Sequence, residues 1–297
     1  LEIKFLPKSR RLRKDGEVVM KKIKQIKRIA AVVMAVSVAV GLTACQQKTD
    51  SQGNSTQTGT LQKVLKERKM TVGCILSFPP FGYKSEDGTP MGYDVDMIHE
   101  LADSLGVEVE IVEVTADARI PSLETGKVDA VFGNFTRTLE RAQKIDFSNP
   151  YVVAGERLLV KKGSGINTVD DLTGKKVAVT KGSTNAELMA TLNPNAEVVF
   201  FETSADALQA VKNGQCATFL EDSNFQQYQA AQNDDLEVVG DSLISLEYNA
   251  IGVKKGDQDW LNYLNLFIFN TNVSGKNDEM YSKWFGEPMP FDLNPQY

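Results

Sequence analysis

Histidine and cysteine are scarce in this sequence of 297 residues, which contains one histidine and three cysteines. Cys45, Cys74 and Cys216 are far apart in the chain and do not form a metal-binding pattern. A disulfide between Cys74 and Cys216 is possible in an exported protein, but we expect the two residues to lie unpaired in different lobes. His99 lies on a predicted helix without a partner and is expected to face solvent. We therefore predict no metal and no cofactor.

A long apolar run is also missing. The apolar stretch from Ile29 to Leu42 is shorter than the ~20 residues that span a bilayer, but it suits the apolar region of a signal peptide. It follows five basic residues between Lys21 and Arg28 and ends in Leu42-Thr43-Ala44-Cys45, which resembles the bacterial lipobox. We predict a lipoprotein signal peptide at residues 20–44 and lipidation of the Cys45 thiol, with palmitate among the acyl chains.

Two further segments flank this signal. Residues 1–19 precede the first methionine, and Gly16-Glu17-Val18 is compatible with an encoded ribosome-binding sequence, so we predict a start codon placed too early. Residues 45–60 are polar and without hydrophobic periodicity, which predicts a flexible tether. The folded part is expected to begin near Leu61.

Positive charge is scarce in the remainder of the chain. Residues 1–44 hold 11 of the 33 Lys and Arg residues and 3 of the 39 Asp and Glu residues, so residues 45–297 keep 22 basic and 36 acidic residues and a net charge near −14. Because contact with a phosphate backbone needs the opposite sign, this excludes a nucleic-acid partner.

Strand and helix patterns alternate after the tether, which predicts an α/β fold with parallel pairing and with ligand loops at the carboxyl ends of strands. The first unit is predicted to contain a helix at Leu61–Arg68, a strand at Met70–Ile75, a helix opening at Gly92–Asp96 and ending at Gly106, a strand at Val107–Val114, a helix at Ile120–Thr125 and a strand at Val128–Phe132. The second unit is predicted to contain strands at Lys176–Thr180, Glu197–Phe201 and Cys216–Leu220, each followed by a helix.

Two extended segments are predicted to join the units. Glu156–Val160 and Tyr248–Val253 each precede a nearly identical Lys-Lys-Gly turn. We predict that they are antiparallel strands crossing between two lobes, as a hinge over a cleft. Lobe 1 would comprise residues 61–155 and 254–297, and lobe 2 with the hinge strands would comprise residues 156–253. Two independent tandem domains are less favoured because no polar linker separates the units.

Two loops have the chemistry of an anion site. Thr136, Thr138 and Arg141 follow the strand at Val128–Phe132, and a guanidinium with short hydroxyls suits a small carboxylate. In the second unit, Ser183-Thr184 stands at a helix start directly after a strand, where free N–H groups and the helix dipole attract an anion.

The motif Gly92-Tyr93-Asp94-Val95-Asp96-Met97, with Leu101-Ala102, resembles the signature of the family 3 extracellular solute-binding proteins, the polar amino-acid receptors of ABC importers. The block Ile120–Tyr151 is similar to a second family motif, and the resemblance covers Leu61–Asp292. It implies a periplasmic-binding-protein fold of type II, in which two α/β lobes joined by a two-strand hinge close around one amino acid.

The resemblance also implies roles for residues of the first lobe. Arg141 and Thr136 would bind the α-carboxylate of the amino acid. The backbone carbonyl of Asn134 and the Thr136 hydroxyl would receive its α-ammonium. Phe78 falls where the family stacks an aromatic ring over the ligand side chain.

In the second lobe the resemblance implies an anion contact and a cation contact. Ser183 and Thr184 would supply N–H groups to the carboxylate. The family places an Asp near the end of the third strand to pair with the ammonium, whereas this sequence has Glu221 there, followed by Asp222. We favour Glu221, with Asp222 as the alternative.

Arg119 is the residue that indicates which amino acid is bound. It directly precedes Ile120-Pro121, where family members resembling aspartate and glutamate receptors carry an Arg that meets the side-chain carboxylate. This favours glutamate or aspartate, with glutamine next, and a structural Arg119 is the competing interpretation.

The resulting functional prediction is a binding protein and not an enzyme. We expect a monomer, held on the outer side of the cell membrane by its lipid, that delivers a polar amino acid to an ABC permease. The alternative is an exported enzyme on the same fold, similar to cyclohexadienyl or arogenate dehydratases.

Overall fold

The computed structural model describes residues 59–244 and 246–293. The upstream extension, the signal peptide, Cys45 and the tether up to residue 58 lie outside the described residues. Within them, no helix is both long enough and apolar enough to cross a membrane. The first helix begins at Thr60, one residue before the predicted start of the folded part.

Thirteen strands are present in the described residues: β1 (Lys69–Cys74), β2 (Ser77–Phe78), β3 (Gly82–Lys84), β4 (Pro90–Met91), β5 (Glu108–Glu113), β6 (Ala130–Val131), β7 (Ile145–Ala154), β8 (Glu156–Lys161), β9 (Lys176–Thr180), β10 (Glu197–Phe201), β11 (Thr218–Asp222), β12 (Leu236–Val239) and β13 (Glu247–Lys254). The α-helices are α1 (Thr60–Glu67), α2 (Tyr93–Leu105), α3 (Arg119–Glu124), α4 (Asn185–Leu192), α5 (Ser204–Lys212), α6 (Ser223–Gln232), α7 (Gln258–Val273) and α8 (Lys276–Phe285). Single 3₁₀ turns lie at Arg141–Gln143 and Val169–Leu172.

Ten of these strands form two five-stranded sheets, one in each lobe, with the orders β5-β1-β6-β13-β7 and β10-β9-β11-β8-β12, and the short strands β2, β3 and β4 form a small antiparallel sheet. In the first sheet β1 runs parallel to β5 and β6, and in the second sheet β9 runs parallel to β10 and β11. The remaining pairs are antiparallel. The two lobes therefore share a parallel core with antiparallel strands added on one side, and the predicted type II architecture is confirmed.

Helix α2 illustrates how the sequence forms the first lobe. Its apolar positions recur at intervals of three and four residues and are buried on one face, with Met97, Ile98 and Leu101 all inaccessible to solvent. The helix ends at Gly106, which adopts a left-handed conformation as predicted.

The two C-terminal helices, α7 and α8, pack back on the first lobe as predicted. The indole nitrogen of Trp260 in α7 donates to the carbonyl of Asp129 at 2.9 Å. The amide of Asn277 in α8 donates to the carbonyl of Tyr151 at 2.9 Å. His99 is exposed as expected. Cys74 and Cys216 are buried free cysteines, so the expectation that they remain unpaired is confirmed.

The predicted hinge needs a correction. Tyr248–Val253 does not pair with Glu156–Val160: β13 lies in the first sheet, antiparallel to β7, with Glu247 opposite Ala154. Residues 247–253 therefore belong to the first lobe and not, as predicted, to the second. The sequence analysis missed the strand at residues 145–154 because Asn149-Pro150 interrupts its hydrophobic pattern. In the structure, the pairing of β7 with β13 accommodates this proline through register shifts beside Ala250. The chain passes to the second sheet at Gly155 and returns between β12 and β13.

Candidate functional site

A cavity lies between the two sheets, and its empty volume, which includes space open to solvent, is about 480 Å³. All nine residues predicted to bind the ligand line it. The lining residues follow the carboxyl ends of the parallel strands β1, β5, β9, β10 and β11 and the loop after β6, which is where ligands bind in open α/β sheets.

The guanidinium of Arg119 is buried and held by the protein backbone. Its Nε donates to the carbonyl of Ala116 at 2.7 Å, and its Nη1 donates to the carbonyls of Gly133 and Asn134 at 2.9 and 2.8 Å. Its Nη2 donates across the cavity to Gly182 at 3.0 Å. Burial and the nearby Arg141 lower the pKa of Arg119 to about 9. Most of its donors are therefore committed to backbone carbonyls.

Arg141 is the less committed guanidinium. Its Nη1 donates to the carbonyl of Thr136 at 2.7 Å and its Nη2 donates to the carbonyl of Gly182 at 2.9 Å. Both guanidiniums lie over the ring of Phe135, with Arg119 at 4.2 Å and Arg141 at 5.3 Å from the centroid. Two arginines of the first lobe therefore converge on one carbonyl of the second lobe.

Gly182 brings the backbones of the two lobes into contact. It has a φ of +81°, and a Cβ atom placed on it would lie 2.6 Å from both the Cα and the N of Asp117 in the first lobe. Beside it, Lys181 forms ion pairs with Asp117 at 3.0 Å and with Glu202 at 3.1 Å. The structure is therefore a closed arrangement of the lobes, and no other residue type fits position 182 without separating them.

Glu247 is a bridging residue that the sequence analysis missed. The hydroxyl of Thr136 in the first lobe donates to one oxygen of its carboxylate at 2.6 Å, and the hydroxyl of Thr184 in the second lobe donates to the other at 2.9 Å. These two hydroxyls were predicted to bind the ligand. With their protons directed at Glu247, they present lone pairs to the remaining surroundings.

Asn249, two residues further along β13, joins the same region. Its amide donates to the side-chain oxygen of Asn134 at 2.6 Å and to Asp222 at 3.0 Å. The backbone carbonyl of Asn134, predicted to receive the ammonium, accepts from Arg119. Asp222 thus faces the first-lobe loop that carries Asn134 and Thr136.

Glu221 points in a different direction from Asp222, as neighbours on a strand do. One of its oxygens accepts from the Thr180 hydroxyl at 3.3 Å, and Asn185 lies 3.5 Å from the other. Burial and, to a smaller extent, the charge of the Asp222 carboxylate together raise the pKa of Glu221 to about 8. Burial likewise raises the pKa of Asp222 to about 6, with Glu247 as the next cause.

Glu156 completes a cluster of carboxyl groups behind the cavity. It is the first residue of β8 and is inaccessible to solvent. Burial raises its pKa well above the usual range, and the carboxylates of Asp222, Glu221 and Glu247 add to this effect. The cavity therefore has the guanidiniums of Arg119 and Arg141 on its first-lobe side and the carboxyl groups of Glu221 and Asp222 on its second-lobe side.

Phe78 and Ser183 are placed in the cavity wall but make internal contacts. The ring of Phe78 stacks on Phe225 of the second lobe, with centroids 4.2 Å apart and planes within 1°. The N–H and hydroxyl of Ser183 both donate to the carbonyl of Thr180, at 3.1 and 2.7 Å. The predicted donation of the Ser183 N–H to a carboxylate is therefore replaced, in this structure, by a turn within the chain.

Three further residues escaped the sequence analysis, namely Glu156, Gly182 and Asn249. In the structure, β8 and β13, the strands that lead into the repeated Lys-Lys-Gly turns, both begin with Glu, at positions 156 and 247, whereas the predicted second segment began at Tyr248. Gly182 lies next to the predicted Ser183-Thr184 and its role depends on lobe closure, which local sequence does not indicate. Cys74 and Cys216, the cysteines of the described residues, do not line the cavity.

The fold and the cavity define a two-lobed binding protein of the periplasmic type II class. The chain belongs to the family described as bacterial extracellular solute-binding proteins, family 3, whose pattern matches residues 70–287.

Named relatives agree with this assignment. The ABC transporter glutamine-binding protein GlnH of Bacillus subtilis is 35% identical over 254 residues, covering 83% of this chain and 92% of the relative. The glutamine-binding protein of Geobacillus stearothermophilus is 39% identical over 215 residues, covering 71% and 82%. Other matching proteins are named for binding L-cystine or glutamate and aspartate, so the relatives are amino-acid importer proteins that differ in ligand.

A solved structure shows the same fold. The P235GK mutant of ArgBP from T. maritima superposes with a TM-score of 0.73 and is 36% identical, covering 77% of this chain and the whole of that one. The predicted family is confirmed by these comparisons.

Proposed function

We propose that this protein is the substrate-binding component of an ABC importer and captures one polar amino acid between its lobes. The observation that carries this proposal is the polarity of the cavity: guanidiniums line one side and carboxyl groups line the other, as the two charges of a zwitterion require. The relatives named as amino-acid-binding proteins of ABC importers support it.

The α-carboxylate is assigned to Arg141. Its Nη2 now donates to the carbonyl of Gly182, and a carboxylate oxygen is the stronger acceptor, so the ligand takes over this donor. Thr184 at the start of α4 adds the positive end of a helix dipole.

The α-ammonium is assigned to Asp222 and not to Glu221, which the sequence favoured. Asp222 faces the loop with Asn134 and Thr136, whose oxygens are the expected further acceptors of the ammonium. The Thr136 hydroxyl donates its proton to Glu247, so its lone pairs remain for the ammonium. Glu221 instead contacts Thr180 and Asn185.

The side chain of the ligand is assigned as neutral and polar, with glutamine as the first candidate. The sequence favoured an acidic side chain because of Arg119, but four hydrogen bonds to backbone carbonyls occupy most of that guanidinium. An acidic side chain would also meet the carboxyl groups of Glu202 and Glu221 in the cavity wall, and a cationic one would meet Arg119. The relatives from Bacillus subtilis and Geobacillus stearothermophilus described above are both named as glutamine-binding proteins.

Calorimetric titration tests this assignment. The protein is unfolded and refolded to remove carried-over ligand and is then titrated with glutamine, glutamate, aspartate, arginine and cystine. We expect glutamine to bind most tightly, with micromolar affinity corresponding to about 8 kcal/mol. Tightest binding of glutamate or aspartate would restore the side-chain role of Arg119, and failure of every amino acid would overturn the proposed function.

An enzyme on the same fold is the alternative that the sequence left open. We propose that this protein does not catalyse a dehydration, because the relatives reported above are named as binding proteins. Incubation with prephenate and arogenate, followed by absorbance, should give no aromatic product. Formation of phenylalanine or phenylpyruvate would contradict this.

We further propose that the protein works as a lipid-anchored monomer outside the cytoplasmic membrane, where it delivers its amino acid to a permease. The lipobox-like Leu42-Thr43-Ala44-Cys45 supports the anchor. Mass spectrometry of the protein from membranes should show a chain that begins at an acylated Cys45, and Cys45→Ser should release it from membranes. Light scattering of the released form should give the mass of one chain.

A further inference from the structure

Four polar side chains of the second lobe form a hydrogen-bonded group in the cavity wall, and neither charged end of the proposed ligand is assigned to them. They stand at or beside the carboxyl ends of β9 and β11 and at the first positions of α4 and α5, and each is 5% exposed or less: Thr180, Glu221, Asn185 and Ser204. A few fixed polar groups in a cavity orient a ligand and provide specificity. The direction of each hydrogen bond in this group therefore determines which ligand side chain the cavity accepts.

The hydroxyl hydrogens of the group are used within the protein. The Thr180 hydroxyl donates to one oxygen of Glu221 at 3.3 Å. Because a hydroxyl has one hydrogen, the 3.0 Å bond between Thr180 and Ser204 takes its hydrogen from Ser204. The other oxygen of Glu221 accepts from the backbone N–H of Asp222 at 3.2 Å. Both hydroxyls therefore present only lone pairs to a ligand.

Asn185 holds an acceptor without a donor. Its amide nitrogen donates to the carbonyl of Leu220 at 3.0 Å and lies 3.5 Å from an oxygen of Glu221, and these two acceptors fix the orientation of the amide. The side-chain oxygen of the same amide is buried and has no hydrogen-bond partner among the described residues. A buried acceptor without a partner costs free energy, so a ligand that brings an N–H to this oxygen gains affinity.

Glu221 supplies a hydrogen beside this acceptor. Burial and, to a smaller extent, the charge of Asp222 raise the pKa of Glu221 to about 8, so its carboxyl is largely protonated at pH 7. A protonated carboxyl donates one hydrogen bond and keeps acceptor capacity for the donors that already surround it. The wall of the second lobe therefore presents one acceptor, on Asn185, and one donor, on Glu221, next to each other.

We propose that Asn185 and Glu221 bind the side-chain carboxamide of the ligand and select glutamine over glutamate, an inference that rests on the function proposed above. A carboxamide carries an acceptor oxygen and two donor hydrogens, so its N–H meets the Asn185 oxygen while its C=O accepts from Glu221. A carboxylate has no hydrogen to give and would place an oxygen against that of Asn185. A site built for hydrogen bonds rejects an analogue that leaves its buried polar groups unpaired.

The experiment compares three ligands by calorimetry at pH 7, with protein that has been unfolded and refolded to remove carried-over ligand. The ligands are glutamine, glutamate and the γ-methyl ester of glutamate, which is neutral but has no N–H and so separates hydrogen bonding from charge. For the wild type we expect glutamate to bind about a hundredfold more weakly than glutamine, and the ester roughly tenfold more weakly. The ratios of dissociation constants are compared between variants, because a side chain that only supports the fold weakens all three ligands equally.

Asn185→Ala removes the unpaired acceptor. We expect it to weaken glutamine roughly tenfold and to reduce the preference for glutamine over the ester and over glutamate by about the same factor, since neither of these used the acceptor. Asn195→Ala, at an exposed asparagine before the amino end of β10, is the matched control and should keep the wild-type ratios.

Glu221 is tested by a pair of variants, which also carry the test if circular dichroism shows that Asn185→Ala does not fold. Glu221→Leu removes the donor and should weaken glutamine roughly tenfold, whereas Glu221→Gln keeps an N–H donor and should bind glutamine within about threefold of wild type. Glu197→Gln, at an exposed carboxylate of β10, is the control for the lost charge.

Three results would overturn the proposal: wild-type ratios in a folded Asn185→Ala, equal glutamine affinity in Glu221→Leu and Glu221→Gln, or a wild type that binds glutamate as tightly as glutamine. Each of these leaves a protein that binds an amino acid, so the proposed transport function stands. A wild type that binds no amino acid would overturn the proposed function and this subsite together.

Discussion

Arg119 and Arg141 lie side by side over one phenylalanine ring, yet they have different hydrogen-bond partners. Arg119 donates to four carbonyls and is 3% exposed, whereas Arg141 donates to two. The sequence singled out Arg141 because an arginine after a strand suits a carboxylate, and Arg119 because the family resemblance implies an arginine before Ile120-Pro121. It could not separate them, since the partners of Arg119 come from loops that only the folded chain brings together.

Arg141→Ala should abolish binding of the amino acid at micromolar concentration. It leaves the α-carboxylate unpaired in a closed cavity, which costs roughly 3–5 kcal/mol, or about a hundredfold to several thousandfold in affinity. Calorimetry measures the loss. Arg137→Ala removes an exposed arginine from the same loop and serves as the control, with affinity expected to be unchanged. Wild-type affinity in Arg141→Ala would exclude the residue from the site.

Arg119→Lys should lower stability more than it changes ligand choice. An ammonium cannot reproduce the planar arrangement of donors toward four carbonyls, so we expect the free energy of unfolding to fall by roughly 2–4 kcal/mol. Guanidinium titration measures it. Arg157→Lys, at an arginine whose guanidinium donates to the single carbonyl of Gly240, is the control and should change stability by about 0.5 kcal/mol or less. Unchanged stability together with lost affinity for acidic amino acids would instead support the ligand role.

Asp94, at the start of α2, should make stability depend on pH. Burial raises its pKa to about 7, against the lowering effect of the Tyr151 hydroxyl, whereas the unfolded value is near 3.8. The folded state therefore binds more protons between these values, and the contribution of Asp94 to stability falls as the pH rises from about 4 to 7. Asp94→Asn should show a smaller fall than wild type in denaturant titrations across this range. Asp103→Asn, an exposed residue of the same helix, should follow wild type.

Elements with local signals could be predicted from the sequence, and elements defined by distant pairing could not. β9 and β10 have the predicted bounds, and each is followed by the predicted helix, because turn residues flank each apolar segment. β7 and β13 are different: their pairing joins residues about a hundred positions apart, and Pro150 obscures the strand pattern. For this reason the sequence analysis placed β13 in the second lobe, whereas it lies in the first.

The turn between β9 and α4 is the element through which the lobes touch, and Gly182→Ala tests it. The added Cβ would meet the backbone of Asp117 at 2.6 Å, so the lobes must separate and affinity should fall at least tenfold. Gly163→Ala is the matched control, because Gly163 has a similar φ of +74° but no heavy atom within 4 Å of the new Cβ. Both variants should lose about 1–2 kcal/mol of stability from backbone strain. Equal affinity in the two variants would contradict the closing role of this turn.

At the scale of the whole molecule, the nine residues predicted from the sequence come to one cavity, but their contacts could not be predicted. In the closed arrangement Glu247 holds two of the predicted hydroxyls and Gly182 holds both guanidiniums. These acceptors come from other elements and complete the site only when the lobes meet. Sequence motifs thus identified the donors, while closure determined what they donate to.

The last prediction concerns closure itself. A ligand shifts the equilibrium between open and closed lobes only as far as it binds the closed state better, and the proposed partners of its two charged ends, Arg141 and Asp222, lie in different lobes. Small-angle X-ray scattering should therefore give a smaller radius of gyration for the protein saturated with its amino acid than for the free protein. In Gly182→Ala the radius should stay near the free value at the same saturation, and in Gly163→Ala it should fall as in wild type. An unchanged radius for wild type at saturating ligand would mean that the amino acid enters lobes that are already closed.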